Sequence, residues 1–263
     1  MRVPERFVAV DWSGARSESS QRKHIWLAED SPHGFRAEKG RTREQLCEHI
    51  IKEFEDQSAV IGFDFAFSFP DSFFAAHGLR TVEELWSLSE GCGEAWLCQC
   101  PQPFWGRPGK KRPATHETEG FRGTDREINI NGIAPKSPLQ IGGAGAVGTG
   151  SIRGMPILRR LRDAGFSIWP FDVPSLPMVV EIYPRLLTGP IKKSQTAARV
   201  EYLHKAEWAR LPSEIRRAAG GSEDAFDAVV SAVRMRHDAK RFTRLSEQTD
   251  QRVLREGRIW IPG

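Results

Sequence analysis

The 263-residue chain has no apolar run of the roughly 20 residues that a membrane helix needs, so no membrane association is expected. Its first residues carry no apolar core followed by a small-residue cleavage site, and a cytoplasmic location is the expectation. No Gly-x-Ser-x-Gly elbow is present, which excludes the usual serine hydrolase turn. No Walker A lysine–serine pair is present, which excludes a P-loop. The seven histidines show neither metal-ligand nor triad spacing. Cysteine is scarce, at four residues, and Cys92, Cys98 and Cys100 match no familiar structural zinc spacing even with His116 as a fourth ligand. Reduced, structural cysteines are expected.

What the chain does have is charge in particular places. The net charge of +4 is modest. Its distribution is uneven: between Trp105 and Arg160 stand ten Lys or Arg against four acids, Glu117, Glu119, Asp125 and Glu127. Such an excess suits contact with a polyanion, although a solvated loop has the same composition. Phe104 and Trp105 beside these cations could stack on unpaired bases or anchor a lid.

Hydrophobic patterning places strands at residues 6–11, 24–28, 34–38, 59–65, 166–171 and 178–183. Thr42 is a fitting N-cap for a helix over 43–56, with Leu46, Ile50, Ile51 and Phe54 at helical spacing. Further helices are expected at 81–88, 156–164, 195–209 and 223–237, with Pro156 in the first turn of its helix. The stretch 101–133, rich in Pro, Gly and charge, reads as an exposed loop. Three strands, a helix and a fourth strand is not the alternating opening of a doubly wound sheet.

Acidic residues recur where these elements end or begin. Asp11 closes the run Phe7-Val8-Ala9-Val10, Asp64 lies between Phe63 and Phe65, and Glu181 follows Met178-Val179-Val180. Asp224 and Asp227 lie three apart, on one face of a helix near its start. An ionised carboxylate in an apolar strand is costly unless paired, hydrogen-bonded or metal-bound. Several brought together would repel, and a hard divalent cation such as Mg²⁺ or Mn²⁺ is their natural partner. Each has a plainer reading as well: an Asx turn for Asp11, a structural hydrogen bond for Asp64, dipole complementation for Asp224.

The segment Gly142 to Gly154 is dense in glycine. Gly143-x-Gly145-x-x-Gly148 with Asp172 downstream imitates a dinucleotide fingerprint, but Pro138 interrupts the strand that should precede it. A phosphate-cradling loop, with Gly14, Lys136, Gly145, Gly148, Gly150 and Arg153 as substrate contacts, fits better. A flexible turn is the plainer alternative.

The elements Val8 to Gly14, Gly62 to Pro70, Val147 to Gly154, Val180 to Pro184 and Glu223 to Ala232 resemble successive motifs of the domain-of-unknown-function family 429, predicted nucleases of the ribonuclease H-like superfamily. The resemblance spans residues 8–232. It implies an α/β fold with a mixed five-stranded sheet flanked by helices. It also implies a metal site drawn from acids of the first strand, the fourth strand, a later strand and a C-terminal helix. The expectation is therefore a single ribonuclease H-like domain over 1–263, with residues 66–178 inserted between the fourth and fifth core strands. The expected function is metal-dependent phosphodiester hydrolysis of DNA or RNA, with Asp11, Asp64, Glu181 and Asp227 catalytic and Asp224 a further metal ligand. Two alternatives stand beside it: an ATP-dependent phosphotransferase of the sugar-kinase and actin-like branch, and a non-catalytic nucleic-acid-binding module.

Overall fold

The computed structural model describes residues 1–263. Six strands form one sheet: β1 (Arg6–Asp11), β2 (Trp26–Ser31), β3 (Gly34–Lys39), β4 (Ala59–Phe63), β5 (Ser167–Ile168) and β6 (Met178–Glu181). Their spatial order is β3-β2-β1-β4-β6-β5. β2 runs antiparallel to β1 and β3, whereas β4 is parallel to β1 and β6 is parallel to β4 and β5. The sheet is mixed, as expected, but has six strands rather than the five that the resemblance implies, in keeping with the six apolar stretches of the sequence. The extra one is the two-residue β5, paired through Ser167–Met178 and Ile168–Val179.

The helices are α1 (Glu18–His24), α2 (Arg43–Phe54), α3 (Asp71–His77), α4 (Val82–Gln99), α5 (His116–Glu119), α6 (Gly123–Arg126) and α7 (Val147–Asp163). They continue as α8 (Pro184–Thr188), α9 (Thr196–Leu203), α10 (Ser213–Gly221), α11 (Glu223–His237), α12 (Ala239–Phe242) and α13 (Gln251–Glu256). None is long and apolar enough to cross a membrane.

Alternation along the strands builds two cores. On β1, Val8 and Val10 join Ile61, Phe63 and Val179 in a core under α2, α4 and α7. Phe7 and Ala9 face the other way and join Val60, Val180 and the apolar residues of α11. Both faces of β1, β4 and β6 are thus covered, which explains why these strands read as continuous apolar runs. The stretch 66–178 supplies α3 to α7 and β5, and two of these helices belong to the layer over one sheet face.

Local signals account for most boundaries. Thr42 Oγ1 accepts from Gln45 N, and Gln45 Oε1 accepts from Thr42 N, a complete capping box. The second strand begins at Trp26 rather than His24, because residues 18–24 coil into α1 behind a Ser17 cap. The helix expected over 195–209 stops at Leu203; a 3₁₀ turn follows at Ala206–Trp208. The stretch 101–133 is not an exposed loop throughout: Phe104, His116, Arg122, Asp125 and Ile128 are buried in it.

The largest departure is α7. It begins at Val147, not Pro156, so Gly148, Gly150 and Gly154 are helical. Proline inside a helix removes the N–H that would reach the carbonyl four residues back. Here the Ser89 hydroxyl on α4 donates to that carbonyl, Ile152 O, at 2.9 Å. The glycines permit close approach: a Cβ at Gly154 would lie 2.5 Å from the Phe65 ring, and one at Gly14 would lie 2.7 Å from Gly150 N.

Candidate metal centre

Strand register sets the first two acids side by side. Val10 pairs with Phe63 in the parallel β1–β4 ladder, so Asp11 and Asp64 follow at the same end of neighbouring strands. Asp64 N donates to Val10 O at 3.1 Å. The third acid comes from α11, which begins at a Ser222 cap and carries Asp227 in its second turn. Ala225, Ala228 and Ala232 are buried on this helix, and such small residues let it lie close over the sheet.

One carboxylate oxygen from each of Asp11, Asp64 and Asp227 lies within 4.8 Å of the others. This triad could hold a metal ion. Asp227 is 3% exposed; its Oδ2 accepts from Lys193 Nζ, and its Oδ1 has no hydrogen-bond partner. A buried acceptor left without a donor is costly, and a hard cation is a partner that would satisfy it.

The charges respond to this crowding. Burial pushes the Asp11 carboxyl well above its usual range, with Asp227, Asp64 and Asp224 adding to the rise and Lys193 opposing it. Burial, reinforced by Asp227, raises Asp64 to about 7. Asp227 is raised to about 6 by burial, despite the Lys193 ammonium. With Lys193 as their one bonded cation, three such groups resist full ionisation at neutral pH.

Asp64 opens into a cleft of about 560 Å³ that is also lined by Gly14, Arg107, Gly145, Thr149 and Tyr183. The start of α7 forms one wall, and no side chain caps that helix terminus. Val147 N and Gly148 N already donate to Gly145 O and Gln140 O; the Thr149 and Gly150 amides, which have no such partner, and the helix dipole favour an anion there. Tyr183 adds a phenol whose pKa burial and the Asp64 charge both raise, so it keeps its proton as a donor.

Glu181, Asp224 and Arg153, also expected at the site, are bonded elsewhere. Glu181 accepts from Arg122 Nη1 at 2.7 Å and from Phe67 N at 3.0 Å; its carboxylate is taken up by a buried ion pair. Asp224 turns to His24, with Nδ1 2.8 Å from its Oδ2. Arg153 is held by Glu94, at 2.6 and 2.8 Å, and by Gly14 O, so it fastens the loop after β1 rather than reaching for an anion. Gly148 faces Pro138 O away from the cleft, because it packs the helix rather than lining a loop. Gly14, Gly145 and Gly150 do line the cleft, and Lys136 is exposed with its Cε beside Gly145. Asp172, the acid of the imitated dinucleotide fingerprint, is bound to Arg162 at 2.9 Å.

Four residues at or beside the site escaped the sequence reading. Tyr183 stands two positions after Glu181 and could have been found there. Arg107 was one basic residue among ten; it is exposed, without an acidic partner, and lines the cleft. Lys193 and Arg122 lie in segments with no periodicity to mark them. No protein-family model, no curated protein and no solved structure matches the chain.

Proposed function

We propose that this chain is a divalent-metal-dependent nuclease that hydrolyses phosphodiester bonds of nucleic acid, on a ribonuclease H-like domain with Mg²⁺ or Mn²⁺ as cofactor. The observation that carries this reading is the convergence of Asp11, Asp64 and Asp227 within 4.8 Å, with Asp227 Oδ1 unpartnered. The reading draws further support from a mixed sheet in which Asp11 ends β1, Asp64 follows β4 and Asp227 comes from α11.

Asp11, Asp64 and Asp227 would hold the ion, which when bound supplies Lewis-acid chemistry at the phosphoryl group. The remaining work falls to the chain itself. The Thr149 and Gly150 amides of α7 and the Arg107 guanidinium receive phosphate oxygens in the cleft. The protonated Tyr183 phenol donates a hydrogen bond beside Asp64. Glu181 stays with Arg122 and holds the end of β6 in place.

The test is a cleavage screen in Mn²⁺ over single-stranded, duplex, hybrid and junction substrates, beside melting temperatures with and without Mn²⁺. Wild-type protein should cleave and gain stability from the metal. Asp11→Asn should do neither while keeping its fold. An equal metal response in both proteins would rule out Asp11 as a ligand. Stabilisation by ATP in place of oligonucleotide cleavage would assign the site to phosphotransfer, and metal-independent binding without cleavage would make it a binding module.

A further inference from the structure

Lys193 is the one cationic side chain bonded to the acidic triad. Its Nζ donates to Asp227 Oδ2 and lies 3.9 Å from Glu223 Oε1. Its charge also acts on Asp11 and Asp64. The backbone beneath it is fixed. Arg199, 4% exposed and without a carboxylate partner, donates to Lys193 O, to Gly220 O at 3.1 Å and to Thr196 Oγ1 at 3.1 Å. A buried guanidinium spent wholly on carbonyls and a hydroxyl anchors the 189–195 connection against α9 and α10. The lysine side chain above that anchor is long and flexible, and 24% of it is exposed.

From this arrangement we infer that Lys193 is a tethered cation that competes with a divalent ion for Asp227. The inference rests on the proposed metal centre and deepens it. Without the divalent ion, the ammonium offsets repulsion within the triad. When the ion binds to the Asp227 carboxylate, its charge would repel the ammonium, so that the bond to Oδ2 loosens and the lysine side chain moves outward along its exposed edge. No bond is made or broken other than hydrogen bonds and coordination. The lysine thereby raises the metal concentration needed to fill the site. It acts through Asp227 and is a positioning residue, distinct from a simple surface ion pair because its partner is a proposed ligand.

The experiment is calorimetric titration of Mn²⁺ at pH 8 into wild type, Lys193→Met and Lys193→Arg, with unfolding curves of each in EDTA as the control for folding. Lys193→Met should bind Mn²⁺ on the order of tenfold more tightly, equivalent to about 1.4 kcal/mol. Lys193→Arg, which keeps the charge, should return close to wild type. The ammonium ¹⁵N resonance of Lys193 in wild type should lose its exchange protection as Mg²⁺ is added. Equal or weaker metal binding by Lys193→Met, or a resonance that Mg²⁺ leaves unchanged while the metal binds, overturns the inference and spares the metal centre. Absence of metal binding by wild type and both variants overturns the metal centre and the inference together. Binding by Lys193→Met alone supports the inference in its strongest form.

Discussion

Arg122 and Glu181 meet out of contact with water, the guanidinium 1% exposed and its Nη1 2.7 Å from Glu181 Oε2. Asp125 closes the other side of the guanidinium, at 2.8 and 2.7 Å. Glu181 sits opposite Phe63 in the β4–β6 ladder, and Phe63 immediately precedes Asp64, so this ion pair braces the floor beneath the acidic triad. Removing one partner of a buried pair leaves an uncompensated charge and costs about 3–5 kcal/mol. Arg122→Met should lower stability by that amount in urea unfolding. Glu181→Gln should also destabilise, yet change Mn²⁺ affinity by less than about tenfold (1.4 kcal/mol). A greater loss of metal affinity with unchanged stability would return Glu181 to the ligand set.

The raised carboxyl groups predict an unusual pH response. Asp64 at about 7 and Asp227 at about 6 both stand above the ordinary 3.8, so the folded state binds these protons more tightly than the unfolded chain. Stability of the metal-free protein should therefore fall as pH rises from about 4 to about 7, and level off above. Asp64→Asn removes one of the groups. Its melting temperature in EDTA, relative to wild type, should climb across that window. Metal affinity of wild type should rise over the same range, since bound protons must leave before the ion enters. A wild type that gains on the variant as pH rises contradicts this account.

Close packing between Gly14 and α7 sets the mouth of the cleft. A Cβ at Gly14 would press on Gly150 N at 2.7 Å and on the Thr149 carbonyl carbon at 2.9 Å, both backbone atoms that cannot swing aside. Gly14→Ala should cost about 1–3 kcal/mol through overpacking and lower cleavage more than its stability loss explains. Chemical denaturation beside a cleavage assay separates the two effects. Full activity in the alanine variant would show that the loop and helix need not touch.

Arg107 and Lys136 are exposed and make no ion pair, so their removal should leave stability within about 0.5 kcal/mol. Each is expected to contact one phosphate of a bound strand. Either alanine variant should weaken binding across sequences and reduce the salt slope by about 1. Affinities measured from low to moderate salt on one oligonucleotide decide it, and an unchanged slope removes the residue from the binding path.

Most elements were open to reading because their signals are local. Phe7 to Val10, Ala59 to Phe63 and Met178 to Val180 are apolar runs buried on both faces, and Thr42 and Ser222 mark helix starts by their own hydrogen bonds. Asp11, Asp64 and Asp227 could be picked out because a carboxylate at the edge of such a run needs a partner. The start of α7 could not. Glycine and proline are helix-breaking by propensity, and the Ser89 donor and the Phe65 ring that accommodate them lie at least 60 residues away.

The sequence by itself determined the layers and the acids: period-two and period-3.6 patterns choose the buried faces, and burial makes an unpaired carboxylate conspicuous. The tertiary structure decided which carboxylates share a site. Parallel register brings Asp11 to Asp64, and helix packing brings Asp227 over both. Arg122, His24 and Lys193 decide the rest by taking Glu181, Asp224 and one oxygen of Asp227. Those partners stand 59, 200 and 34 residues from their acids, and charge pairing at such separations leaves no periodic trace in the chain.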